Sequence, residues 1–232
     1  FSGISSKVLI IISILLLISF SVMGYIINNR VSNSVKRMAK SRNEKVLNSL
    51  ESKINGFFAN SSSIIDGITY NKTFTDLSAD EMRNNFKDIM QEYEQFKWIY
   101  LGTTEGEMIM YPDDGLPEDY DPRERSWYQT AVKKDKVIWT EPYRDATTNE
   151  YLITVAAPYK KNGQIKGVIA GDVTLNILSE LVSEIKVGDK GYTYIVGNDG
   201  KTIAHPNQER VKNRTDISEI MDTEQVLSGN KG

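Results

Sequence analysis

The stretch Tyr120-Asp121-Pro122-Arg123-Glu124-Arg125-Ser126-Trp127-Tyr128 gathers aromatic and guanidinium side chains around a proline. An Arg guanidinium is a rigid fork of donors that fits a carboxylate bidentately. Trp and Tyr add large rigid walls with a polar tip. Such a cluster can form one half of a pocket for a small anion. The same residues also suit an Asp-Pro turn running into an amphipathic helix, with Trp and Tyr as core and Arg as surface. The local pattern leaves both readings open. Further along, Asp172 stands just before Val173-Thr174-Leu175. It could cap the helix that follows or offer its carboxylate to a cation. Tyr143, after Pro142, could be ordinary core, and Arg123 competes with Arg125 as the anion-binding cation.

Composition excludes several other chemistries. The chain has 232 residues, is 40% hydrophobic and 25% charged, and carries a net charge of −3. That length allows one or two domains. No basic stripe with interleaved aromatics appears, so nothing suggests nucleic-acid binding. With no Cys there are no disulfides, no thiol catalysis and no Cys-based zinc site. The single His, His205, argues against a His-rich metal site or a Ser-His-Asp triad. Asp113, Asp114, Asp119 and Asp121 do not have the spacing of an EF-hand loop and read as solvated loop charge. No nucleophile with a base, no phosphate-binding glycine loop and no metal cluster is visible, so no enzyme activity and no cofactor is expected.

The elements that would position these residues follow from pattern. Val8 to Ile27 carries no charge and is rich in Ile and Leu. It can span the ~30 Å hydrocarbon core of a bilayer as a helix. No small-x-small cleavage site follows, so an uncleaved anchor is expected rather than a signal peptide. From Val31 to about Tyr70 apolar residues recur at three- and four-residue spacings, predicting a long helix suited to a stalk or a dimer seam. Residues 71–77 read as a turn. Ser78-Ala79-Asp80-Glu81 has the form of a capping box, with a helix face in Met82, Phe86, Ile89, Tyr93 and Phe96. Trp98–Gly102 and Met108–Tyr111 form a predicted hairpin, and Pro112–Pro122 a loop. A short helix is expected over Arg125–Lys133, a strand over Val137–Trp139 and a turn at Glu141-Pro142-Tyr143. Tyr151–Tyr159 and Gln164–Val173 read as paired strands. Ile153 and Val155 alternate with Thr154 and Ala156, so one face has small side chains where a ligand could lie. A helix follows over Leu175–Ile185, broken at Gly188–Gly191, and then a second hairpin across Asn198-Asp199-Gly200.

With Gly191-Tyr192-x-Tyr194, Gly200 and His205-Pro206 opening a second module, the chain resembles the double Cache (dCache) sensors. These are the extracytoplasmic ligand-binding regions of bacterial chemoreceptors, histidine kinases and cyclic-dinucleotide enzymes. The sharper resemblance is to the amino-acid-binding subgroup, whose pattern is matched by Tyr120, Arg125, Trp127, Tyr128, Tyr143 and Asp172. It implies that Tyr120, Arg125 and Trp127 hold a ligand carboxylate. Tyr128, Tyr143 and Asp172 would hold its ammonium group. The chemistry is consistent, since a free amino acid is a zwitterion and needs a cation and an anion a few ångströms apart. Hydrogen bonds to charged groups are worth roughly 1.5–3 kcal/mol each.

The resemblance implies an α+β fold with a transmembrane helix and flanks (1–30), a long stalk helix (31–77), a membrane-distal PAS-like antiparallel-sheet module (78–186) and the start of a membrane-proximal one (187–232). It implies a receptor in the cell membrane, extracytoplasmic from about residue 31, with a homodimer through the long helix. Its cytoplasmic signalling partners would be reached through a region absent from this chain, which is expected to be a fragment at both ends. Charge alone points the other way. Arg30, Lys36, Arg37, Lys40, Arg42 and Lys45 follow the span, whereas Lys7 precedes it, and by the positive-inside rule they would be cytoplasmic. Other ligands on the same fold are an amine, an organic acid or a purine. An amine has little use for Arg125 and a simple carboxylate little use for Asp172.

Overall fold

The computed structural model describes residues 2–71, 74–188 and 191–219, with the backbone alone at 2–6 and 75. It divides into two compact units, Phe1–Ser49 and Leu50–Gly232. The described residues of the first unit all belong to helix α1 (Ser2–Tyr70). Its apolar stretch reaches a mean hydropathy of 2.6 and is long and apolar enough to cross a membrane. The sequence suggests an anchor and a separate stalk on either side of residue 30, but the backbone is one continuous helix from Ser2 to Tyr70. Neither proline nor glycine interrupts the junction, so nothing there breaks the hydrogen-bond ladder.

In the second unit, α1 from Leu50 onward and α2 (Ala79–Glu92) pack on one face of an antiparallel sheet. The capping box at the start of α2 is complete. The Ser78 N–H donates to Glu81 Oε2 at 2.7 Å, and the Glu81 N–H donates to Ser78 Oγ at 3.4 Å. The sheet comprises β1 (Trp98–Thr103), β2 (Met108–Tyr111), β3 (Ile138–Trp139), β4 (Tyr143–Arg144), β5 (Tyr151–Lys161) and β6 (Gln164–Thr174). Strand order is β2-β1-β6-β5-β3, with β4 also on β5. Tyr143, expected in a turn, therefore sits in a short strand paired with Leu152.

Alternation divides the sheet's side chains between two cores. Ile99, Leu101, Ile153, Val155, Ile169 and Val173 join the core beneath α1 and α2. Trp98, Tyr100, Leu152, Ala156, Val168 and Ala170 join a second core on the opposite face. There they meet α3 (Ser126–Lys134), which buries Trp127, Tyr128 and Ala131. The small residues on this face make room for Trp127, which is only 1% exposed. Gly102 lets the chain before α3 come close: a Cβ there would lie 2.7 Å from Pro122 and 2.9 Å from Trp127. Gly171 plays the same part on the other face, where a Cβ would lie 2.7 Å from Phe96.

Helix α4 (Leu175–Ser183) follows β6 directly, with Thr174 rather than Asp172 as its N-cap. Beyond it come the β7 (Lys186–Val187)–β8 (Gly191–Tyr192) pair, the β9 (Ile195–Val196)–β10 (Thr202–Ala204) pair and α5 (Gln208–Lys212). The β9–β10 hairpin forms across Asn198-Asp199-Gly200 as its turn residues predict. Residues 220–232 of the expected second module lie outside the described residues. Two bonds tie this region to α4. Thr193 Oγ1 donates to the Val182 carbonyl at 2.9 Å, and the His205 N–H donates to Ser179 Oγ at 3.4 Å.

Candidate functional site

Register sets the site. Asp172 on β6 lies opposite Trp98 on β1 and opposite Thr154 on β5. Tyr100 is two residues beyond Trp98 and shares its face. Asp172 Oδ1 accepts from the Tyr100 hydroxyl at 2.8 Å and from Thr154 Oγ1 at 2.6 Å. Tyr143 Oη lies 2.7 Å from Thr154 Oγ1. Because the Thr154 proton goes to Asp172, Tyr143 is the donor in that pair. Three hydroxyls are thus aligned toward one carboxylate, and both direct bonds fall on Oδ1. Oδ2 takes neither of them.

Asp172 is 5% exposed. Burial pushes its carboxyl up to about 7, with Asp145 adding to the rise and Thr154, Tyr100 and Lys97 opposing it. The phenols share the environment. Burial, then the Asp172 charge, raises both Tyr100 and Tyr143 above the ordinary tyrosine value. Such a carboxylate, desolvated and, among the described residues, without a cationic partner in contact, is set up to receive a cation.

The opposite end is built by the Tyr120–Tyr128 stretch. Asp121 caps a 3₁₀ turn, Pro122–Glu124, by accepting the Arg123 N–H at 2.8 Å. Arg125 is the hinge residue between this turn and α3, in extended backbone conformation. Its guanidinium carbon stands 4.9 Å from the Tyr120 ring centroid, and among the described residues it makes no ion pair. Arg123 instead grips Asp121, with Nε 2.9 Å from Oδ1 and Nη2 2.6 Å from Oδ2. Of the two arginines, Arg125 is the one whose donors are uncommitted.

Between these ends lies a cavity whose wall includes Tyr120, Arg125, Tyr143 and Asp172. It encloses about 30 Å³, or about 450 Å³ with its open mouth. Trp127 and Tyr128 are not in that wall. They lie beneath it, Trp127 edge-on to Tyr100 at 5.1 Å and Tyr128 edge-on to Trp127 at 5.6 Å. Tyr128 Oη donates to the Thr103 carbonyl at 3.5 Å. In this structure both anchor α3, and with it Arg125.

Sequence reasoning did not single out Trp98, Tyr100, Met108, Met110 or Asp145, all of which line the cavity. Asp114, read as loop charge, lines it too, with Oδ2 accepting from Trp98 Nε1 at 2.8 Å. The two-residue alternation Trp98-Tyr100 was the available signal. Two larger concavities, about 560 and 530 Å³, are lined mainly by loop ends and exposed side chains and, among the described residues, hold no comparable convergence of buried polar groups.

The profile of the Cache domain family matches residues 26–232. The chain belongs to the Cache domain family. Similar curated relatives of this Cache domain are methyl-accepting chemotaxis proteins. PctB of Pseudomonas aeruginosa is 37% identical over 123 residues, covering 53% of this chain and 20% of the relative. McpC of Bacillus subtilis is 28% identical over 240 residues, covering 100% of this chain and 36% of the relative. The Cache chain thus spans about a fifth to about a third of these relatives' lengths. Among solved structures, the ligand-binding domain of the Pseudomonas fluorescens chemoreceptor CtaA in complex with L-alanine superimposes with a TM-score of 0.64 at 28% identity. It covers 79% of this chain and 77% of its own. The ligand-binding domain of P. aeruginosa PctB in complex with L-Arg gives 0.61 at 28% identity, covering 72% and 70%. Both neighbours are ligand-binding domains of chemoreceptors.

Proposed function

We propose that this chain is the extracytoplasmic sensing region of a transmembrane chemoreceptor and binds a free L-amino acid. Arg125 and Tyr120 hold its carboxylate, and Asp172 with Tyr143 holds its ammonium group. Trp127 and Tyr128 act from beneath the cavity, positioning the carboxylate-binding end formed by Arg125 and Tyr120. The observation that carries this reading is the pairing of an uncommitted guanidinium and a desolvated carboxylate across one cavity. The amino-acid complexes of the CtaA and PctB domains support it. The apolar stretch of α1 anchors the chain, and residues from about 31 onward lie outside the cell. Val31, Val35 and Met38, exposed on successive turns, form the seam of a homodimer. Signalling partners in the cytoplasm are reached through sequence beyond this chain.

A path for the signal is built into β6. The strand that carries Asp172 runs within two residues into α4, which packs on β10 and α5. A ligand that favours one position of Asp172 therefore biases the position of α4 and the membrane-proximal elements bonded to it. Calorimetric titration of the chain in lipid nanodiscs with a panel of L-amino acids tests the reading. Binding of at least one is expected, and binding of none contradicts it.

The raised Asp172 carboxyl also gives binding a pH dependence. A ligand ammonium needs the ionised form. Below about 7 the ligand-free site holds a proton that must leave on binding. Affinity therefore rises as pH increases from 5 toward 7, approaching about tenfold per unit, and levels off above. Titrations in buffers of different ionisation enthalpy should show close to one proton released at pH 5.5. A flat profile from pH 5 to 8 contradicts the assignment of Asp172 to the ammonium.

A further inference from the structure

We infer that the site accepts amino acids with neutral aliphatic side chains and refuses acidic ones, through a side-chain subsite formed by Met108, Met110 and Leu116 and rimmed by Asp114 and Asp145. This rests on the amino-acid reading above, which fixes the ligand's two charged groups and so leaves one wall for its side chain. That wall comes from β2 and the loop after it. Met108 and Met110 are two residues apart on one strand and line the cavity together with Leu116. Met110 belongs to the apolar core beneath the site, and Met108 and Leu116, partly buried, pack against it. Methionine thioethers are flexible and polarizable, so they adapt to side chains of different length and branching.

Charge decides what this wall excludes. Arg125 is the only Lys, Arg or His in the cavity wall among the described residues, and the ligand's α-carboxylate occupies it. The remaining charged groups are carboxylates, and their positions are held. Asp114 Oδ2 is bound by Trp98 Nε1 at 2.8 Å. Asp145 Oδ1 accepts from the backbone N–H groups of Thr147 at 3.1 Å and Thr148 at 2.6 Å, and from Thr148 Oγ1 at 2.8 Å. The indole N–H of Trp98, a polar donor on that wall, is therefore already in use. A second ligand carboxylate would leave water for an apolar wall with no counter-charge and two fixed like charges. A carboxamide of the same shape would meet neither repulsion nor the full desolvation penalty.

The test uses the whole chain in lipid nanodiscs, titrated with L-leucine, L-methionine, L-glutamine and L-glutamate. Leucine and methionine should bind, and glutamine should bind about tenfold or more tighter than glutamate. The isosteric substitutions Asp114→Asn and Asp145→Asn keep an acceptor oxygen for Trp98 and for the Thr147–Thr148 turn. Each should shrink the glutamine-to-glutamate ratio, together bringing it close to unity. Glutamate binding as tightly as glutamine overturns the inference, as does a ratio unchanged in both variants. Failure of the wild-type chain to bind any amino acid overturns the parent reading instead, so the two failures are told apart.

Discussion

Asp172→Asn abolishes amino-acid binding while stabilising the ligand-free domain. The loss follows from removing the anion that meets the ligand ammonium. Truncating one partner of a buried charge pair costs about 2–5 kcal/mol, or roughly 30-fold to several thousandfold in affinity. The gain in stability follows from the raised carboxyl. In the unfolded chain an Asp titrates near 3.8, and in the fold Asp172 does so at about 7. Between those values the folded state holds a proton that the unfolded state lacks, so stability falls as pH rises through the window. Above it the ionised, desolvated group opposes folding by on the order of 4 kcal/mol at most. Asparagine is neutral at every pH and keeps an acceptor oxygen for Tyr100 and Thr154. Its variant should therefore melt several degrees higher than the parent at pH 8, with the difference closing toward pH 4. Thermal unfolding across that range measures it. A variant less stable at pH 8, or one that binds ligand as tightly as the parent, contradicts the account.

Arg125→Ala produces the other large effect. In the proposed function Arg125 meets the ligand carboxylate with parallel hydrogen bonds, and its guanidinium carbon stands 4.9 Å from the Tyr120 ring centroid. Without it the carboxylate would be desolvated with no donor, and affinity should drop about a hundredfold or more. Arg125→Lys restores the charge but not the fork, and should recover part of the loss. Arg123→Ala is the contrast. Its guanidinium is spent on Asp121, so affinity should change only severalfold, through a looser 3₁₀ turn. Calorimetry on the three variants measures this order. Greater loss at Arg123 than at Arg125 contradicts it.

What the sequence made legible depended on the range of the interactions. The Ser78–Glu81 capping box, the helix after Arg125 and the β5–β6 hairpin are local. Their spacing alone specified them, and the structure contains all three. Tyr100 escaped because its partner Asp172 is 72 positions away. Their meeting depends on β1 and β6 being neighbours, which no periodicity reveals. Tyr143 looked like part of a turn because its strand is two residues long and exists only by pairing with β5. Asp172 looked like a helix cap because the strand end and the helix start abut, and one residue pair of difference gave that place to Thr174. Asp114 looked like solvated loop charge until Trp98 was found to hold it at the cavity. The Tyr120, Arg125, Tyr143 and Asp172 positions, separate in sequence, are brought around one cavity. Trp127 and Tyr128 lie one layer beneath it.

The central claim is that one cavity holds both charges of a zwitterion. Calorimetry of the chain with its tightest-binding L-amino acid, the corresponding amine lacking the carboxylate and the corresponding carboxylic acid lacking the amino group addresses it directly. The account predicts that the amino acid binds and that each analogue is weaker by about thirtyfold or more, since each leaves one charged end of the site unpaired. Either analogue binding as tightly as the amino acid would contradict the two-ended clamp.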